Sequence, residues 1–162
     1  YIISSGLTEI IRGSRIGGEF KAIFAAEFCY DDEGRPVWPS SAVNYTSKTQ
    51  FIYRINKGIL DVTDNRRLNE HTPHDMRRVP YTNMIYIGDG TTDIPCMKLV
   101  STRGGHSIAA YTGERNQTVN AMLIHGRVQF VAPTDYSAGS EMEQIVFSIF
   151  DSVAAESRNN TL

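Results

Sequence analysis

Cysteine is scarce in this 162-residue chain. Cys29 and Cys96 are the two present, too few and too far apart for a disulfide framework or a cysteine metal knuckle, so both are expected as reduced thiols of a cytoplasmic protein. An excess of charge of one sign is absent as well. The 16 Lys and Arg against 18 Asp and Glu leave a net charge of −2, which sets up no field to draw in nucleic acid or an anionic membrane surface. Neither partner is expected. No apolar run approaches the roughly 20 residues of a membrane span, and no basic-then-apolar signal stretch opens the chain. An initiator methionine is also missing. Tyr1-Ile2-Ile3 reads as a strand already under way, and the start is expected to be a cut one.

What is there is ordinary globular material. At 41% hydrophobic and 21% charged, the chain can bury one core, and a single domain over 1–162 is expected. Tyr1-Ile2-Ile3 is β-rich and runs into the small residues Ser4-Ser5-Gly6, followed by helical spacing of Leu7, Ile10 and Ile11. Two extended pieces, 22–25 and 27–30, precede the turn signal Asp31-Asp32-Glu33-Gly34 and predict a hairpin, with Trp38 packed beneath it. Phe51, Ile52, Ile55 and Ile59 repeat at a helical period, so a helix over 46–59 is expected, capped by Thr46 or Ser47, with Lys48 in its first turn and Gly58 near its end. The stretch 61–81 is polar, charged and without a period, and is read as a surface insertion.

Asn83-Met84-Ile85-Tyr86-Ile87 is the strongest strand signal. It ends in Gly88-Asp89-Gly90-Thr91-Thr92-Asp93, with a helix predicted over 94–100. Short strands over 107–111 and 128–131 and an amphipathic helix over 141–155 complete an α/β fold with a mainly parallel sheet. In such sheets ligands sit beyond the carboxyl ends of strands, where both Ser4 and Asp89 fall. The Gly-Asp-Gly-x-x-Asp loop offers two carboxylates, hard oxygen donors of the kind Mg²⁺ takes one or two at a time.

The order of these pieces, a strand with Ser4-Ser5-Gly6, then Lys48 opening a helix, then Ile85-Tyr86-Ile87-Gly88-Asp89-Gly90-Thr91-Thr92-Asp93, resembles the later motifs of the haloacid dehalogenase (HAD) superfamily, most closely its phosphoserine phosphatase-like branch. The resemblance spans roughly 1–111. It implies a Rossmann-like core with flanking helices and a Mg²⁺-dependent phosphatase acting on a small phosphorylated metabolite. Carried over residue by residue, it makes Ser4 and Lys48 catalytic, with Ser5 and Gly6 joining them in binding the phosphoryl group. Asp89 and Asp93 become the metal residues, Asp93 directly or through water. Thr92 stands where the branch usually has asparagine.

The family's Asp-x-Asp nucleophile motif, its first strand and the branch's cap are not found ahead of Ser4. Asp31-Asp32 and Asp61-Val62-Thr63-Asp64 follow the serine motif and do not substitute. The expectation is a missing N-terminal segment of the same gene product, with this chain alone inactive. The alternative is a non-catalytic phosphate-binding or regulatory module on the same fold. Among other candidates, Lys57 competes with Lys48 for the lysine role, and Lys48 is preferred for its place at a helix start. His71 and His74 flank a proline in a polar loop with no third ligand and are read as surface residues. Arg66-Arg67 and Arg77-Arg78 are read as solvated unless the insertion covers the site.

Overall fold

The computed structural model describes residues 1–115 and 117–159 and divides into two compact units, Tyr1–His71 and Thr72–Leu162. The stretch read as a surface insertion is shared between them. The first unit runs β1 (Ile2–Leu7), α1 (Thr8–Arg12), β2 (Ile23–Tyr30), β3 (Pro36–Ser41), α2 (Lys48–Lys57) and α3 (Asn65–Asn69). Its sheet is mixed. β1 pairs parallel with β2, and β2 pairs antiparallel with β3. The expected hairpin supplies the antiparallel pair. Asp31 Oδ1 accepts the amides of Glu33 and Arg35 at 3.0 and 2.8 Å, and Gly34 takes a left-handed φ of +76°, so the chain reverses within a few residues.

Trp38 does not pack beneath that hairpin. It lies on β3, an edge strand exposed from Pro36 to Ser40, and is itself 71% exposed. The apolar face of α2 carries Phe51, Ile52 and Ile55, all buried, and the Phe51 ring stacks on Phe24 of β2 with centroids 4.8 Å apart.

Neither Thr46 nor Ser47 caps α2. Ser47 already has helical backbone angles, so its hydroxyl cannot reach forward. Asn44 does the capping instead, its Oδ1 accepting the amides of Thr46 and Ser47 at 3.1 and 3.0 Å. Gly58 ends the helix as expected. At φ +74° it lets its own amide donate to Ile55 O and the Ile59 amide donate to Arg54 O, which satisfies carbonyls of the last turn.

The second unit alternates strand and helix: β4 (Ile85–Gly88), α4 (Ile94–Thr102), β5 (His106–Tyr111), α5 (Gln117–Ile124), β6 (Phe130–Pro133) and α6 (Glu141–Asn159). Its sheet is wholly parallel, in the order β4-β5-β6. Side chains alternate across a strand, so central β5 feeds two cores. Ala109 joins Met97, Val119, Met122, Val128 and Val131 on the side of α4 and α5. Ile108 and Ala110 join Ala132, Met142 and Ile149 on the side of α6.

β6 begins two residues later than expected. Residues before it meet β5 through side chains rather than the ladder: the Ser107 amide donates to Gln129 Oε1 at 2.9 Å and the Gln129 amide to Ser107 Oγ at 3.2 Å. The architecture is thus α/β, with one mixed sheet and one parallel three-stranded sheet flanked by helices. Among the described residues no helix is long and apolar enough to cross a membrane.

Candidate functional site

The loop after β4 is built around Asp93. A Cβ added at Gly88 would stand 2.7 Å from both Cβ and Cγ of Asp93, so only glycine lets the acid fold back over the strand end. The Asp93 carboxylate is buried, 5% exposed. Its Oδ1 accepts the Tyr86 phenol proton at 2.8 Å and its Oδ2 the Gly90 amide at 3.3 Å. Its own amide donates to Gly90 O at 3.0 Å.

The two acids therefore have opposite settings. Asp93 is turned inward and fastens the loop, while Asp89 is exposed just past the carboxyl end of β4. The Tyr86 phenol is held protonated far above its ordinary range, first by burial and then by the neighbouring Cys96 and Asp93. Along the same sheet edge, Thr112 and Thr134 follow β5 and β6 with their hydroxyl oxygens 3.0 Å apart. The sequence reading missed both that pair and Tyr86. A residue just past each strand end is the signal that would have found the threonines.

Ser4 lies within β1 rather than after it. Ile3 faces Phe24 and Leu7 faces Ala26, so β1 carries two more residues than β2 over this interval and Ser4-Ser5-Gly6 forms a bulge. The Gly6 amide donates to Ser4 Oγ at 3.0 Å. One of the amides assigned to phosphate is thus engaged by the neighbouring hydroxyl, and Ser5 is exposed.

Lys48 opens α2 as expected and is 6% exposed. Its rival Lys57 is committed elsewhere, its Nζ donating to the carbonyls of Leu68 and Glu70, both at 2.6 Å. Ser4, Ser5, Gly6 and Lys48 belong to the first unit; Asp89 and Asp93 belong to the second.

No cluster of three or more His, Cys, Asp or Glu placed to hold a metal occurs among the described residues, and His71 and His74 are exposed. A hard cation such as Mg²⁺ takes one or two carboxylates and completes its shell with water and ligand oxygens. Asp89 is the solvent-facing carboxylate, and Asp93 supports it from behind.

No protein-family model matches the chain. The chain is similar to a protein of Borreliella burgdorferi described as uncharacterized, at 29% identity over 171 residues that cover 92% of this chain and 58% of the relative. It thus spans less than two thirds of that relative's length. The loop geometry therefore has to carry any functional assignment for the chain.

Proposed function

We propose that this chain is the core of a Mg²⁺-dependent phosphatase of the HAD type, acting on a small phosphorylated metabolite. The observation that carries it is Asp89, exposed at the carboxyl end of β4 in a parallel sheet flanked by helices, on a glycine-bordered loop fastened by Asp93. Ligands of open α/β sheets bind at such strand ends. Asp89 would hold the ion, which when bound offsets negative charge on the phosphoryl oxygens.

The phosphate-binding role of Ser4, Ser5, Gly6 and Lys48 comes from the resemblance alone. Phosphoryl transfer asks a protein mainly for positioning and charge stabilisation. The reaction runs in two steps. An aspartate oxygen bonds to phosphorus as the ester P–O bond breaks, and the departing alkoxide takes a proton from water to leave as the alcohol. Water then cleaves the aspartyl-phosphate to free phosphate and regenerate the carboxylate. In this reading none of these 162 residues supplies the attacking aspartate, and the chain alone does not turn over.

The test is a Mg²⁺ titration of the 162-residue chain beside Asp89→Asn, with hydrolysis of an aryl phosphate followed in parallel. Binding that weakens at least tenfold in the variant, without turnover in either, is the expected result. Identical titrations would refute the metal assignment. Metal-dependent turnover by the chain alone would refute the external nucleophile.

A further inference from the structure

Tyr86 sits in the middle of β4, with its ring packed against the core formed by Met97, Val119, Met122 and their neighbours. A phenylalanine would fill that space equally well, so the hydroxyl needs its own explanation. It donates to Asp93 Oδ1 at 2.8 Å, and the other oxygen of the same carboxylate accepts the Gly90 amide. A chain of contacts thus runs from the rigid core through the phenol and carboxylate to the backbone on the far side of Asp89. Gly88, on the near side, leaves Asp93 just enough room.

We propose that Tyr86 is a positioning residue. It anchors Asp93 to the core and thereby fixes the Gly88–Gly90 backbone, so that the Asp89 carboxylate is presented to a divalent cation in one orientation. The assignment rests on the reading of Asp89 as the metal ligand. It also divides the labour between the acids: Asp93 acts on the ion by shaping the loop, and Asp89 touches it. Buried carboxylates hydrogen-bonded on both oxygens are costly to loosen, because losing one partner leaves a desolvated acceptor unmet. The loop is therefore held in place before any ion arrives, as effective metal sites require of the groups behind their ligands.

The experiment uses the 162-residue chain and two readouts, amide hydrogen exchange at Gly90 and Mn²⁺ affinity by electron paramagnetic resonance. Tyr86→Phe should speed Gly90 exchange and weaken Mn²⁺ binding, each by about tenfold, the effect of losing roughly one charge-assisted hydrogen bond. Amides of Ile108 to Ala110 should stay protected, which reports that the core is intact. Asp89→Asn should do the reverse, losing Mn²⁺ binding while leaving Gly90 exchange unchanged. Should Tyr86→Phe unfold the unit, Asp93→Ala tests the same link, since alanine offers the Gly90 amide no side-chain acceptor and exchange there should again quicken.

Wild-type exchange or wild-type Mn²⁺ affinity in a folded Tyr86→Phe protein would overturn the proposal. A wild-type chain that binds no Mn²⁺ would instead overturn the assignment of Asp89, with Gly90 exchange still reporting on the latch.

Discussion

Arg54 offers the sharpest test of how the first unit is held together. Its side chain is 1% exposed, yet its guanidinium is surrounded by acceptors: Asp61 O at 2.7 Å, Val62 O at 2.9 Å, Asn65 Oδ1 at 2.7 Å and, more distantly, Asp64 O at 3.4 Å. Only Nε finds no acceptor among the described residues. Hydrogen bonds from a charged donor contribute about 1.5–3 kcal/mol each, so the three short ones give roughly 5 kcal/mol or more. Desolvation of the cation opposes them by several kcal/mol.

Truncation to alanine removes the bonds and opens a cavity, for a net loss of about 3–4 kcal/mol. Arg54→Met keeps the stem packed and should cost less, about 2 kcal/mol, mostly from the lost hydrogen bonds. Urea denaturation followed by hydrogen exchange over 61–65 measures both numbers and their location. If both variants stay within about 0.5 kcal/mol of wild type, or the 61–65 amides keep their protection, the guanidinium does not organise this turn and the argument fails.

Three further outcomes are expected. Lys57→Met should lower stability by about 1–2 kcal/mol through two lost bonds to carbonyls and leave phosphate affinity unchanged; a specific loss of phosphate affinity in the folded variant would return Lys57 to the site. Gly88→Ala should cost about 1–3 kcal/mol, the range for forcing an atom into filled space, and should speed Gly90 exchange; a neutral variant would mean that Asp93 moves aside freely. Acid should destabilise the first unit, because hydrogen bonds hold Glu9, Asp31 and Asp61 below their ordinary values of 4.5, 3.8 and 3.8. The bonds are chiefly from its own amide and the Tyr30 hydroxyl for Glu9, from Arg35 for Asp31, and from Thr63 for Asp61. Folded values below unfolded ones mean that this stability is complete above about pH 4.5 and is lost as pH falls through the folded values. Denaturation midpoints that stay flat between pH 5 and about 2.5 would contradict it.

Local signals in the sequence placed much of the second unit. Three apolar β-formers before Gly-Asp-Gly marked β4 and its loop, and Asp31 to Gly34 marked the hairpin turn, because turn chemistry acts within a few residues. α5 was missed: Val119, Ala121, Met122, Leu123 and Ile124 run nearly together, without the one-sided spacing that announces a helix, and become helical in the context of the β5 and β6 core. β3 was expected only as the second arm of the hairpin, without bounds, because Pro36 and Pro39 read against a strand and are tolerated only because this one lies at an edge. The roles of Arg54 and Tyr86 were out of reach for another reason. A buried arginine looks like any helix-surface arginine until the turn that wraps it is known, and the phenol's partner lies seven positions on, past the end of the strand, so the period of no single element connects the two. For Ser4 the residue types were legible, but the bulge that keeps it inside the strand depends on the register with β2.

The same two prolines bear on how this chain behaves at high concentration. β3 displays Val37 and Trp38 to water, 58% and 71% exposed, on the outer strand of its sheet, an arrangement that would ordinarily recruit a strand from another molecule. A neighbouring strand needs an unbroken row of donors to zip against. Pro36 and Pro39 supply none, on either side of the exposed pair. The hairpin can therefore hold an indole and a valine in solvent without seeding edge-to-edge stacking, and exchanging either proline for a β-branched residue would turn a harmless rim into an adhesive one.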